Sequence, residues 1–131
     1  MDSSYIELKG SEIELIESTA SAVRIAFPRA LIIKNMTGSK ERTRWSQAGV
    51  LVLEGISDPP ELIERPVTCS GGDIDDNVYT YRDMIPIPFS SRGLIRCALR
   101  LEGVATTLLV EARSARLEME GVPKYLDHLR T

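Results

Sequence analysis

The sequence predicts an all-β protein, an antiparallel β-sandwich or partly open β-barrel with a short C-terminal helix. Three observations lead there. Apolar residues recur at every second position along most of the chain, glycines and prolines punctuate these runs at short intervals, and a helical pattern is confined to the last few residues. Period-two alternation is the signature of a half-buried antiparallel sheet, because successive side chains point to opposite faces of the pleat. Eight or so short strands separated by turn residues suit a sandwich or a small barrel. The length of 131 residues suits one domain spanning 1–131 and is enough to bury a core without disulfide staples.

Taken in order, "YIELKGSEIELIE" reads as a hairpin around Gly10 and Ser11, with Ile6 and Leu8 inward on one arm and Ile13 and Leu15 inward on the other. "AVRIAF" alternates Val23, Ile25 and Phe27, and Pro28 then interrupts the ladder because it has no N–H. "ALIIKN" continues as a strand or as the far side of a bend. "AGVLVLEG" is uniformly apolar from Val50 to Leu53, which suits a strand buried on both faces. "ISDPPELIERP", with three prolines, is expected to be a loop, with room for one helical turn at 60–63. "NVYTYRDMIPIPF" starts as a strand and reaches Pro86 and Pro88, which belong at a sheet edge or outside the ladder. Residues 93 to 120 read as a three-stranded meander. Ile95, Cys97, Leu99, Leu101, Leu108, Val110, Ala115, Leu117 and Met119 face inward, and Arg and Glu face outward, placed to pair across strands. "VPKYLDHLR" can form the terminal helix, with Pro123 in its first turn.

Composition excludes several functions. The net charge of −3 and pI near 5.2 disfavour nucleic acid as a partner and docking to an anionic membrane. No apolar run approaches the length of a membrane helix, and "MDSSYIELKG" has neither the basic start nor the apolar stretch of a secretory leader. A cytoplasmic location is therefore expected, with Cys69 and Cys97 as free thiols.

The chemical motifs are few. "GGDIDDN" sets Asp73, Asp75 and Asn77 at the first, third and fifth positions of a calcium loop. Val78 then stands where the loop requires glycine, and Met84 where it requires a bidentate glutamate. The stretch is better read as a glycine-assisted turn leading into a strand at 78–81. His128 is the only histidine and its neighbour Asp127 cannot orient it from the next position in a helix. No GxSxG elbow, phosphate-binding loop or zinc-ligand spacing is present. The expectation is no catalytic residue, no metal and no cofactor.

Two surfaces stand out as candidate interaction sites. The first is Arg44, Trp45 and Gln47, at the end of the basic stretch "KNMTGSKERTRW", whose bland alternative is a solvated loop with Trp45 buried at its root. The second is the edge carrying Tyr79, Tyr81, Pro86 and Pro88. The leading expectation is a non-enzymatic binding or assembly module that associates with a protein partner or with itself. The alternatives are a small-molecule-binding barrel, possibly enzymatic, and single-stranded nucleic-acid binding.

The succession "WSQAGVLVLEG", "YTYRDMIPIPF", "GLIRCALRLEG" and "LEMEGVPKYLDHL" resembles a group of small, functionally uncharacterised bacterial all-β proteins. The resemblance implies the fold class and brings no catalytic residue with it.

Overall fold

A computed structural model describes residues 3–36 and 41–129. These residues form eight strands: β1 (Ser3–Ser18), β2 (Ala22–Asn35), β3 (Arg42–Glu54), β4 (Ile63–Asp76), β5 (Tyr79–Arg82), β6 (Met84–Ile87), β7 (Ser90–Leu101) and β8 (Leu108–Leu129). They make one antiparallel sheet in the order β5-β4-β7-β8-β3-β2-β1-β6, and an additional β4–β1 pairing closes six of the strands into a ring. The sheet thus closes on itself, rather than splitting into two stacked sheets. Closure buries the alternating apolar set: Ile6, Leu8, Ile13, Leu15, Val23, Ile25, Phe27, Leu51, Leu53, Ile95, Cys97, Leu99 and Val110 fill the interior.

The ring closes through only a few residues. Glu12, Ile13 and Leu15 of β1 pair with Thr68, Val67 and Ile63 of β4. Beyond that point β1 and β4 separate. β5 takes the place beside β4, and β6 the place beside β1, with Asp83 as the corner between them. The strands β1, β2, β3 and β8 run on past the ring as a five-stranded extension completed by β6.

The long strands turn from ring to extension along a line of irregularities. Register shifts fall between Glu7 and Glu12 in β1, between Phe27 and Ala30 in β2, and between Ser46 and Ala48 where β3 meets β8 at Lys124 and Glu120. Extra residues on one strand bend it and increase its twist without ending it. Gly10 and Gly121 adopt left-handed backbone angles at this line, which glycine permits at little cost.

Several expectations change here. Gly10 and Ser11 do not turn a hairpin but form a bulge within the continuous β1. The meander has two strands rather than three, because "ARS" lies inside β8. The expected terminal helix is absent; residues up to Leu129 continue β8 as a strand paired with β3. Free carbonyls and N–H groups along β3 offer that segment a ladder, interrupted by two register shifts, and tertiary pairing overrides a weak helical pattern. Residues 60–63 form no helical turn, and β4 begins at Ile63. The loop expected in the basic stretch falls partly at 37–40, outside the described residues.

Outward charges pair across strands as their alternation implied. Arg116 meets Glu54 at 2.5 Å and Arg24 meets Glu17 at 3.2 Å. Val52 lies between Arg24 and Arg116 in register, and is buried on the outer face of the sheet. The apolar stems of long charged side chains cover such a position while their heads stay in water.

Candidate functional site

The extension carries most of the candidate residues, and its two faces follow from register. The inward row runs Ile85, Ile6, Ile32, Trp45, Tyr125 across β6, β1, β2, β3 and β8. The outward row runs Pro86, Tyr5, Ile33, Arg44, Asp127. Arg44 and Pro86 therefore share one face, with two strands between them, and Trp45 occupies the other.

The three candidates on β3 all hold the last part of β8. Arg44 donates from Nε and Nη2 to the two carboxylate oxygens of Asp127, at 3.0 and 2.9 Å. A two-bond guanidinium–carboxylate fork fixes orientation as well as distance. Hydrogen bonding from Arg44 holds the Asp127 carboxyl below the usual aspartate range, and the same bond raises the Arg44 guanidinium. Trp45 meets the Tyr125 ring edge-on at 5.3 Å, and its indole N–H donates to Thr43 Oγ1 at 2.9 Å. Gln47 donates from Nε2 to the Gly121 carbonyl at 3.2 Å. Adjacent residues of a strand face opposite ways, so Asp127 takes Arg44 while His128 pairs with Glu41 at 2.8 Å.

At the end of the extension, Lys34 places its ammonium 4.4 Å from the centre of the Trp45 ring. A cation over an indole face is held by the ring quadrupole. A cavity of about 430 Å³ opens beside this pair, lined by Ser4, Lys34, Asn35, Met36, Thr43 and Trp45.

The second candidate group lies at the β5–β6 corner. Tyr79 and Tyr81 have ring centres 4.6 Å apart, and Tyr81 meets Phe89 edge-on at 6.0 Å. Tyr79 is exposed, Tyr81 half-buried and Phe89 buried. Pro86 lies on the edge strand β6, while Pro88 follows a cis peptide bond just beyond it, so both prolines avoid the ladder's interior. The aromatic contacts thus form two separate groups, Trp45 with Tyr125 and Tyr79 with Tyr81 and Phe89.

The residue that organises the corner carries no signal in the sequence. Asp83 has a left-handed φ of 59°. Its N–H donates to the Gly72 carbonyl at 2.7 Å, and its carbonyl accepts from Leu8 N–H at 2.9 Å, so its backbone joins β4 to β1. Its Oδ1 accepts from Gly72 N–H at 3.0 Å and from Arg100 at 3.3 Å. The neighbouring glycines make room. A Cβ on Gly71 would lie 2.6 Å from both Arg100 Nη2 and Asp83 Oδ1, and one on Gly72 would lie 2.4 Å from the Ala98 carbonyl. The pair in "GGDIDDN" therefore serves close packing of β4 on β7 and Asp83, and the turn comes later, at Asn77 and Val78.

Asp75 and Asp76 of that stretch are engaged locally. Asp75 accepts from Thr80 at 2.8 Å, and Asp76 accepts from Asn77 at 3.0 Å and from the Ser91 hydroxyl. Asn77 bridges to β7, accepting from Leu94 N–H and donating to the Arg92 carbonyl, both at 2.9 Å. Among the described residues, no group of three or more His, Cys, Asp or Glu could hold a metal ion. Cys69 and Cys97 are free and buried, and burial pushes the Cys97 thiol up to about 12.

Sequence reasoning missed Asp83, whose left-handed angle is tolerated by aspartate but demanded only by the fold. It also missed Tyr125, which a helical reading hid. No helix among the described residues is long and apolar enough to cross a membrane. No family model, curated protein or solved structure matches the chain.

Proposed function

We propose that this protein is a non-enzymatic binding and assembly module of the cytoplasm, and that the five-stranded extension is its contact surface. One observation carries the reading. Val122, Tyr125 and Leu126 are all exposed within five positions of β8, on a segment that pairs with β3 alone. Clustered exposed apolar side chains on a half-paired strand are characteristic of a surface that another chain covers. The apolar filling of the ring supports this over a ligand held inside it. The two free buried thiols are in keeping with a reducing compartment.

A photo-crosslinking amino acid at position 125, compared with one at exposed Arg65 on β4, tests the proposal in cells. A discrete protein adduct at position 125 and none at 65 is the expected result. Equal labelling, or none at either position, overturns it.

A second reading, small-molecule binding, draws on the cavity beside Trp45. The ammonium of Lys34, the indole and the hydroxyls of Ser4 and Thr43 suit a small aromatic anion. Quenching of Trp45 fluorescence by such compounds, lost in Lys34→Ala, would support it. No quenching across a panel of aromatic carboxylates would remove it.

A further inference from the structure

We infer that the chain covering β8 is a second copy of this protein, docked edge to edge and antiparallel across a two-fold axis at Val122. This rests on the reading of the extension as a contact surface and names its occupant.

The free edge comes first. β7 pairs with β8 as far as Arg116, and Leu117 N–H donates to the Phe89 carbonyl at 2.9 Å. Past Leu117, β8 has a strand neighbour on one side only among the described residues. The extension's other edge, β6, is short and contains Pro86, which has no N–H to offer a new strand. Of the two edges, β8 is the one able to accept a partner strand.

The residues along that edge are complementary to themselves. Val122 is 81% exposed, the most exposed large apolar residue of β8. Glu120 stands two positions before it and Lys124 two positions after. No ion pair involves Glu120 or Lys124 among the described residues. An isologous two-fold contact sets each residue against its counterpart on the opposite side of the axis. With the axis at Val122, the two valines meet, and each Glu120 faces the second copy's Lys124. Opposite charges directly across a strand pair attract, and like charges repel. Moving the axis to Gly121 would set Glu120 against Val122 and lose both charge pairs. Glu120 and Lys124 pair with Ala48 and Ser46, alternate positions of β3, so both lie on one face, and Val122 stands at the middle of the bulge between them, clear of Pro123 and its missing N–H.

Sedimentation velocity over a concentration series tests the axis. The wild-type chain is expected to dimerise. Lys124→Glu and Glu120→Lys, each placing like charges opposite one another, should each weaken the dimer about tenfold or more. The double variant with both changes should recover wild-type affinity, because the charges are exchanged but still complementary. Val122→Asp, which brings two carboxylates together on the axis, should be monomeric. All three positions are exposed, and circular dichroism matching wild type establishes that each variant folds. A strict monomer, or a dimer indifferent to the reversals, overturns the inference. Should position 125 still crosslink to a protein of another mass, the contact surface stands and only the two-fold fails. Without either dimer or adduct, both fail.

Discussion

Ser11 is the one fully buried polar side chain among the described residues, and both of its bonds repair the β1 bulge. Its hydroxyl donates to the Glu7 carbonyl at 2.6 Å and accepts from Leu31 N–H at 3.0 Å. Those backbone groups would otherwise face the sheet unpaired where the register shifts. Ser11→Ala removes both partners at once and should lower unfolding free energy by about 1–3 kcal/mol, measured by denaturant titration. A loss within error of zero would mean that water repairs the bulge equally well. The Cys97 thiol makes a different prediction. Its folded value is pushed up to about 12, chiefly by burial, while an unfolded thiol titrates at about 8.5. Below about 8.5 both states keep the proton and the contribution is complete. As pH rises beyond it, the unfolded chain loses a proton that the folded chain retains, and stability falls by up to about 1.4 kcal/mol per pH unit until about 12. Cys97→Ala should be less stable at pH 7 but show a shallower alkaline decline than wild type.

At the scale of elements, the inward-facing residues were legible and the strand ends were not. Alternation alone identified Ile95, Cys97, Leu99 and Leu101 on β7, and Ile6, Leu8, Ile13 and Leu15 on β1, all of them buried. Gly10, Pro28 and the Gly121–Pro123 stretch read as turns or as a helix start because the same residue types serve turns, caps and bulges. Which role they take depends on whether a neighbouring strand continues past them, and that information lies in another part of the chain. The candidate site shows the same division. Arg44, Trp45 and Gln47 were identifiable as an unusual group, but the strand they hold was not, since Tyr125 and Asp127 looked helical. The Arg44–Asp127 fork yields a pH prediction for this element. The depressed Asp127 carboxyl contributes stability that is present above the ordinary aspartate value of about 4 and is lost as pH falls through its lowered folded value. Protection against hydrogen exchange at residues 124–129, relative to the intrinsic rate at each pH, should therefore fall in acid before protection in β7. Arg44→Ala should raise exchange in that segment at neutral pH and abolish most of its acid dependence.

For the whole molecule, what matters is that ring and extension share strands. β1, β2, β3 and β8 pass through the bend without interruption, so neither part can lose its ladder while the other keeps one intact. The ring's seam is its weakest place, since β1 and β4 meet directly through three residue pairs and depend on Asp83 beyond them. Asp83→Ala leaves Gly72 N–H without its side-chain acceptor and puts alanine at a left-handed angle, a combined loss of about 2–4 kcal/mol. Asp83→Asn keeps an acceptor and tolerates the angle, losing only the exposed contacts to Arg100 and Lys9, so it should fall within about 1 kcal/mol of wild type. Three probes report on different places: Trp45 fluorescence on the extension, Cys97 reactivity toward a thiol reagent on the ring, and far-ultraviolet circular dichroism on the whole. Shared strands require their transitions to coincide in wild type and to shift together in Asp83→Ala. A Trp45 transition that moves while Cys97 stays protected would show that the extension unfolds alone, and that the bend uncouples what the strands connect.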